Sequence, residues 1–172
     1  LTELRQSPGA ECLRPNFCPP RPDILPEFLQ HGGRPAFATR FVLAATLSSV
    51  YGIYNGFELC ENAAVPGKEE YLHSEKYDYK VWDWNRPGNI KELIATVNRI
   101  RRENRALQEL TNLRFYRCND DNILFYGKMT PDRSNMILIA VNLDPYDSHG
   151  TDLEVPLWEL GLSDQENYIV ED

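Results

Sequence analysis

A carboxylate in a proline-rich turn is the first feature of this sequence that could take part in chemistry. Asp23 lies between Pro22 and the apolar pair Ile24-Leu25, and further prolines precede it at positions 15, 19 and 20. Because proline fixes φ and has no backbone N–H, this stretch suits neither a helix nor a central strand. Such a turn can present a carboxylate to a pocket, although an ordinary surface turn has the same composition.

A second candidate region is the loop predicted over residues 62–88, which contains Pro66-Gly67 and ends with Pro87-Gly88. Long loops within compact proteins are usually either functional or disordered. Aromatic faces stack on sugar rings, and Lys76 offers a positive charge to a phosphate. The alternative is that the aromatic side chains only pack the loop onto the protein; they are Tyr71, Tyr77, Tyr79, Trp82 and Trp84.

Two more carboxylates, Glu58 and Glu61, follow the predicted strand Val50–Gly56. Substrate sites of β/α barrels lie at the carboxyl ends of the strands, so either acid could orient a sugar hydroxyl or hold a nearby arginine. A solvated or ion-paired loop acid is the alternative.

The elements around these residues have the order of a β/α unit. A strand is predicted near Leu13–Phe17, one helical turn over Pro26–Gln30, and a helix over Ala36–Leu47, with Pro35 suited to its first position. Since that helix is apolar nearly all round, we expect it to be buried. The following strand completes a unit that agrees with the last two strands of a barrel.

The second half of the sequence predicts one amphipathic helix and then strands. The helix runs over Asn89–Asn104, with Asn89 as cap, Glu92 as its capping-box partner, and an apolar stripe. The stripe consists of Ile90, Leu93, Ile94, Val97 and Ile100. A hairpin is predicted from strands at 113–118 and 123–129, then an apolar strand of a sandwich interior at 135–143. An edge strand at 151–156 and the start of another at 168–172 complete the prediction.

Composition excludes several classes of function. The net charge of −8 argues against a nucleic-acid or anionic-membrane partner, and no apolar run of about 18 residues is present. The four cysteines show no Cys-x-x-Cys pair and no zinc-like spacing with the three histidines. We therefore predict no metal site and reduced thiols in a cytoplasmic protein. At 172 residues the chain is shorter than a complete eight-stranded barrel, and we expect it to start in mid-domain without a signal peptide.

Ordered motifs link the sequence to a known family. They are Arg-Pro-Asn-Phe (14–17), Pro-Asp-Ile (22–24), Phe-Leu-Gln-His-Gly-Gly-Arg (28–34), Leu-Ala-Ala-Thr-Leu-Ser (43–48), Gly-Ile-Tyr-Asn-Gly-Phe-Glu-Leu-Cys-Glu (52–61), Ser-Glu-Lys-Tyr (74–77) and Trp-Asn-Arg-Pro-Gly-Asn-Ile-Lys-Glu-Leu-Ile (84–94). With these motifs the sequence resembles the maltose-1-phosphate maltosyltransferases, a branch of the α-amylase superfamily (glycoside hydrolase family 13). The resemblance is specific up to about Gln108 and continues weakly through Trp158-Glu-Leu-Gly-Leu.

The resemblance implies an α/β plus β fold that is truncated at both ends. Residues 1–108 would form the last β/α units of a TIM (β/α)8 barrel, including the donor-binding loop, and residues 109–172 part of an antiparallel β-sandwich domain. The family uses an Asp nucleophile, a Glu acid/base and a second Asp that stabilises the transition state. Asp23 matches that second Asp, although Pro20-Arg21 stands where the family usually has Asn-Thr.

The resemblance also implies substrate contacts and an activity. Lys76 and Tyr77 fall where the family binds the maltosyl-phosphate donor, and Glu58 is a further candidate contact. The family moves maltosyl units from α-maltose 1-phosphate to the non-reducing end of α-1,4-glucan without a cofactor. We expect a bacterial, homodimeric enzyme, and we expect this chain alone to be inactive because the nucleophile and acid/base motifs lie upstream of it. The alternatives are another α-amylase-type hydrolase, a trehalose-forming enzyme, or a non-catalytic carbohydrate-binding module.

Overall fold

Two short strands near the start of the described chain pair in parallel. The computed structural model describes residues 15–168. Strand β1 (Asn16–Phe17) pairs with β2 (Val50–Tyr51), and the chain between them forms helices α1 (Glu27–His31) and α2 (Gly33–Leu47). Parallel strands require such a crossover because the chain has to return to the end of the sheet where the first strand began before the second strand can run in the same direction. The predicted β/α order is therefore present, with strands shorter than the sequence suggests, and Leu13 of the predicted first strand lies outside the described residues.

Helix α2 lies between two hydrophobic clusters, as its apolar composition predicts. Phe37 and Phe41 on this helix are fully buried in the first cluster, and Leu47 belongs to the second. The Thr46 and Tyr126 hydroxyls lie 2.5 Å apart in the interior, which joins the helix to the strands that follow. Burial on both sides means that α2 connects the two halves of the described chain.

Helix α3 (Lys91–Glu103) packs its apolar stripe on the first cluster. Ile90 and Val97 are buried, whereas Ile100 is 37% exposed and contributes less than the periodicity predicts. The helix begins later than expected, so the N-cap is Ile90 and no side chain caps it. Asn89 instead accepts the Lys91 N–H through Oδ1 at 3.2 Å. Short 3-10 helices precede and follow α3, at Phe57–Leu59 and Arg105–Gln108.

An arginine on α3 joins several segments of backbone. The Arg101 guanidinium donates to the carbonyl oxygens of Ala45, Ser48 and Ser49, and it lies 5.1 Å from the centroid of the Tyr51 ring. These carbonyls lie at the end of α2 and just before β2, where helical hydrogen bonds have run out. Arg101 therefore caps carbonyls at the end of α2 and binds the backbone just before β2, a role that its sequence position does not indicate.

The last third of the described chain forms one three-stranded antiparallel sheet. Strand β3 (Leu113–Phe115) pairs with β4 (Ile123–Met129), which pairs with β5 (Met136–Asn142). The predicted hairpin and the strand after it are confirmed. A four-residue helix, α4 (Leu157–Leu160), follows.

The rest of the predicted β region differs from the structure. Residues 151–156 contain only an isolated bridge between Leu153 and Cys118, so the predicted edge strand is wrong. Strand β5 does not lie in a sandwich interior along its whole length, because Leu138 on it is 38% exposed. Within residues 15–168, no second sheet covers this face. The prediction of a strand from Tyr168 onward falls mostly on residues 169–172, outside the described residues.

The described residues contain neither a helix able to cross a membrane nor a cluster of metal-ligating side chains. Within residues 15–168, no helix is both long and apolar enough to cross a membrane. In the same part of the chain, no group of three or more His, Cys, Asp and Glu side chains could hold a metal ion.

A histidine between two aspartates ties the β3–β4 turn to the loop after β5. His149 Nδ1 lies 3.0 Å from an Asp120 carboxylate oxygen, and Nε2 lies 2.9 Å from one of Asp144. Both ring nitrogens face carboxylates, so the doubly protonated imidazolium fits best. The hydrogen bond to Asp144, followed by that to Asp120, raises the pKa of His149. His149 also lowers the pKa of Asp144, and the Asn122 backbone N–H followed by His149 lowers that of Asp120.

These shifts predict a pH-dependent contribution to stability. The raised pKa of His149 stabilises the fold fully below its ordinary value of 6.5, and this contribution is lost as pH rises through the folded-state pKa. The two aspartates contribute above their ordinary value of 3.8 and lose their contribution as pH falls. We expect the midpoint temperature of thermal unfolding to be lower for His149→Gln than for the unmodified protein, most clearly between the ordinary pKa values of 3.8 and 6.5, and the difference to shrink as pH rises above 6.5. His31→Gln, a change at an exposed histidine, is the control. A difference in midpoint temperature that stays constant with pH would contradict the role of His149 between Asp120 and Asp144.

Candidate functional site

Asp23 lies in a tight turn that its prolines stabilise. The Ile24 N–H donates to the Arg21 carbonyl at 3.2 Å, which places Pro22 and Asp23 at the two central positions. Proline suits the first of these because its φ is already fixed. Asp23 is about half exposed, with 54% of its side chain accessible, so the predicted rigid turn presents its carboxylate outward.

Three of the four predicted site residues line one cleft of about 590 Å³. Lys76 Nζ lies 3.6 Å from Asp23 Oδ2, and it lies 5.3 Å from the centroid of the Tyr77 ring. Interactions with Tyr77, followed by the charge of Asp23, raise the pKa of Lys76, so the Lys76 amine is a positively charged ammonium at neutral pH. Because this ion pair is half exposed, it is weak and the ammonium can exchange Asp23 for another anion.

Backbone and hydroxyl contacts hold the two sides of the cleft together. Ser74 Oγ donates to the Pro22 carbonyl at 3.4 Å and accepts the Lys76 N–H at 3.3 Å. Close by, the Leu25 N–H donates to the Glu69 carbonyl at 3.0 Å. The turn that carries Asp23 and the loop that carries Lys76 are thus fixed to each other by several bonds.

Glu58 lies outside this cleft. Its Oε2 accepts the Gly56 N–H at 3.1 Å, and its carbonyl accepts the Ile90 N–H at 2.9 Å. The side chain lines a separate pocket together with Ile53 and Lys91. The described hydrogen bond of the Glu58 side chain is local, and a substrate contact by this residue stays a prediction.

Glu61 holds both ends of the loop over residues 62–88. Its side chain is 11% exposed, and its two oxygens lie 3.0 Å from Arg86 Nη1 and 3.4 Å from Lys80 Nζ. Oε1 also accepts the Ala63 N–H at 3.3 Å. Holding a nearby arginine was one of the roles predicted for an acid at this position, and it is confirmed for Glu61.

The aromatic residues of the loop divide into packed and exposed groups. The Trp82 ring covers Gly56, whose φ of +91° and lack of space for a Cβ require glycine, so Trp82 packs as one interpretation predicts. In contrast, Tyr77 is 79% exposed and Tyr79 is 96% exposed, so the alternative that the aromatic side chains only pack the loop does not hold for these two residues. Glu75 accepts a hydrogen bond from Trp82 Nε1. No local sequence pattern relates these two positions, so the sequence alone does not indicate this contact.

Comparison with known proteins covers the whole chain. Residues 115–172 match the protein family described as GLGE, C-terminal. The complete chain is 63% identical over 172 residues to the alpha-1,4-glucan:maltose-1-phosphate maltosyltransferase of Rhodospirillum rubrum, and it covers 25% of that relative. Proteins of the same name from Pseudomonas aeruginosa and Myxococcus xanthus are each 51% identical, over 100% and 99% of this chain and 26% of each relative. The chain thus spans about a quarter of the length of these curated relatives.

The three relatives are bacterial proteins, and their shared name describes a class of transferases that act on α-1,4-glucan. Because the chain matches them over 99–100% of its own length, it belongs to their family, the alpha-1,4-glucan:maltose-1-phosphate maltosyltransferases. The resemblance stated from the motifs is therefore confirmed. The described residues form a small mixed structure of helices and strands, and strands β4 and β5 of its three-stranded antiparallel sheet lie within the matched residues 115–172.

The position of Glu61 leads to a prediction about loop order. Glu61→Gln removes the charge that faces Arg86 and Lys80, so we expect a loss of stability of about 1–3 kcal/mol and faster amide exchange over residues 62–88. Hydrogen–deuterium exchange with mass spectrometry measures the second effect. Glu70→Gln is the matched control, because the Glu70 carboxylate and its partner Lys68 are both more than half exposed. Equal exchange in the two variants would contradict the role of Glu61.

Proposed function

We propose that this chain supplies two parts of the active site of a retaining maltosyltransferase, a transition-state-stabilising carboxylate and a contact to the donor phosphate. The complete enzyme would move maltosyl units from α-maltose 1-phosphate to the non-reducing end of α-1,4-glucan and release phosphate. The observation that carries the proposal is the shared cleft of Asp23, Lys76 and Tyr77, in a chain whose relatives bear this name. The nucleophile and the acid/base would come from outside these 172 residues.

The chemistry suits the two charges on the cleft. Retaining transfer passes through an oxocarbenium-like transition state and a covalent glycosyl–enzyme intermediate. As the bond from the anomeric carbon to the phosphate oxygen breaks, that oxygen keeps the electron pair and the sugar ring gains positive charge. Asp23 would stabilise that positive charge, which is absent from the ground state, and such selective stabilisation raises the rate. Lys76 would leave Asp23 and pair with the phosphate, whose negative charge is greatest as it departs.

The proposal includes the architecture that the family resemblance implies. We propose that residues 1–108 form the last β/α units of a TIM (β/α)8 barrel and that residues 109–172 belong to a β-sandwich domain. The parallel pairing of β1 with β2 across a helical crossover supports the first part, and the β3–β4–β5 sheet supports the second. Catalysis needs no cofactor in this scheme. The homodimer, the cytoplasmic location and the contact by Glu58 stay predictions.

The role of Asp23 can be tested in the complete enzyme. We expect Asp23→Asn to lower kcat by about 100-fold or more, because the neutral amide cannot balance the charge of the transition state. Release of phosphate from α-maltose 1-phosphate measures the rate, and circular dichroism checks the fold. Asp83→Asn, in the same chain but outside the cleft, is the matched control. Near-normal turnover of the Asp23 variant would refute the assignment. If the unmodified enzyme hydrolysed α-1,4-glucan but released no phosphate from α-maltose 1-phosphate, the result would favour another α-amylase-type enzyme.

The role of Lys76 can be tested by comparing a charged and a neutral ligand. We expect Lys76→Ala to raise KM for α-maltose 1-phosphate about tenfold or more, because an ammonium–phosphate contact is lost. Binding of a neutral maltooligosaccharide, measured by calorimetry, should change much less. Lys68→Ala removes an exposed lysine whose partner is Glu70, and it serves as the control. Equal losses for both ligands would mean that Lys76 has a structural role.

A further inference from the structure

The residue before Lys76, Glu75, is hydrogen-bonded to the turn that follows β2. Asn55 Nδ2 lies 3.0 Å from both carboxylate oxygens of Glu75, and Trp82 Nε1 donates to Glu75 Oε1 at 2.7 Å. The Glu75 side chain is partly buried and does not line the cleft that Lys76 and Asp23 share. Both partners are neutral donors, so the carboxylate acts here as an acceptor of hydrogen bonds.

Both partners of Glu75 are themselves held in place. Asn55 comes directly before Gly56 in the turn that follows β2, where the Phe57 N–H donates to the Tyr54 carbonyl at 3.1 Å. The Trp82 ring fills the space beside Gly56, and Lys80 Nζ lies 4.5 Å from the centroid of that ring. Glu75 therefore links the loop to a part of the chain that strand pairing and close packing already fix.

The loop needs such a link because it has no regular structure of its own. Residues 62–88 contain neither a helix nor a paired strand beyond the isolated bridge between Ala64 and Tyr71. Lysine has a flexible four-carbon side chain, so the position of its ammonium depends on how firmly its backbone is held. A misplacement of about 1 Å at a catalytic group can cost 100-fold in rate.

We propose that Glu75 is a positioning residue of the maltosyltransferase site. Its carboxylate fixes the backbone next to Lys76, so that the Lys76 ammonium lies beside Asp23 and is already positioned to contact the donor phosphate. This inference rests on the proposed function, since it assigns Glu75 a role through Lys76.

The decisive experiment is a double-mutant cycle in the complete enzyme. We expect Glu75→Ala to raise KM for α-maltose 1-phosphate about tenfold with a smaller change in kcat, because the phosphate contact is misplaced. In a Lys76→Ala background, the same change should cost less than about twofold more, since residues that act as a unit are not additive. Additive losses would overturn the proposal. Glu92→Ala, on the exposed side of α3, is the matched control for loss of a carboxylate.

Two further variants separate positioning from folding. Glu75→Gln keeps an acceptor for Trp82 and can still pair with the amide of Asn55, so we expect KM within about threefold of the unmodified enzyme. A Gln variant as impaired as the Ala variant would contradict the proposal. If Glu75→Ala does not fold, Trp82→Phe removes the indole N–H while keeping an aromatic ring. It should raise KM for the phosphorylated donor but leave binding of neutral maltooligosaccharide unchanged. Equal changes for both ligands would again overturn the inference.

The failure of this inference is distinguishable from failure of the proposed function. If Lys76→Ala left KM for α-maltose 1-phosphate unchanged, the proposed phosphate contact would be refuted, and with it the function assigned to the cleft. A Lys76→Ala enzyme with raised KM, combined with additive losses in the cycle, would leave that function intact and remove only the role of Glu75.

Discussion

Burial of α2 on two sides is the constraint on which the described structure depends. Apolar side chains on both sides of this helix have to be removed from water, and one packing partner cannot cover both. The helical cluster around Phe37 and Phe41 covers one side, and the sheet contributes Tyr126 on the other. The same helix lies between β1 and β2 in the chain, and Arg101 donates to carbonyls at its end, so its packing helps to place the strand pair beside the Asp23 turn.

A different kind of interaction orders the loop that carries Lys76. Its backbone has no ladder of hydrogen bonds, and several of its aromatic side chains are exposed, so packing alone does not hold it. Carboxylates take over this role: Glu61 joins the loop ends through Lys80 and Arg86, and Glu75 joins its middle to Asn55. Poorly exposed carboxylates that accept several hydrogen bonds are specific in geometry, because each unmet bond would cost free energy. The cleft is therefore built from polar contacts on an apolar frame.

The parts of the fold that the sequence predicts are the local ones. Helix α2 follows from an apolar run, and helix α3 and the β3–β4 hairpin follow from periodicity and turn residues within short stretches of chain. The edge strand at 151–156 fails because a favourable composition does not supply a partner, and only the bridge to Cys118 forms. The clamp of His149, the contacts of Arg101 and the bonds of Glu75 join positions far apart in the chain, so no spacing rule indicates them.

The sequence by itself determined two things about this protein. Its prolines fix the turn at Asp23, because their φ angles are set by covalent structure, and its ordered motifs identify the family. Only the tertiary structure decided that Asp23, Lys76 and Tyr77 share one cleft while Glu58 lines another pocket. The physical reason is that the direction of a loop side chain depends on hydrogen bonds and packing with distant segments, such as Ser74 with Pro22, and local patterns do not contain that information.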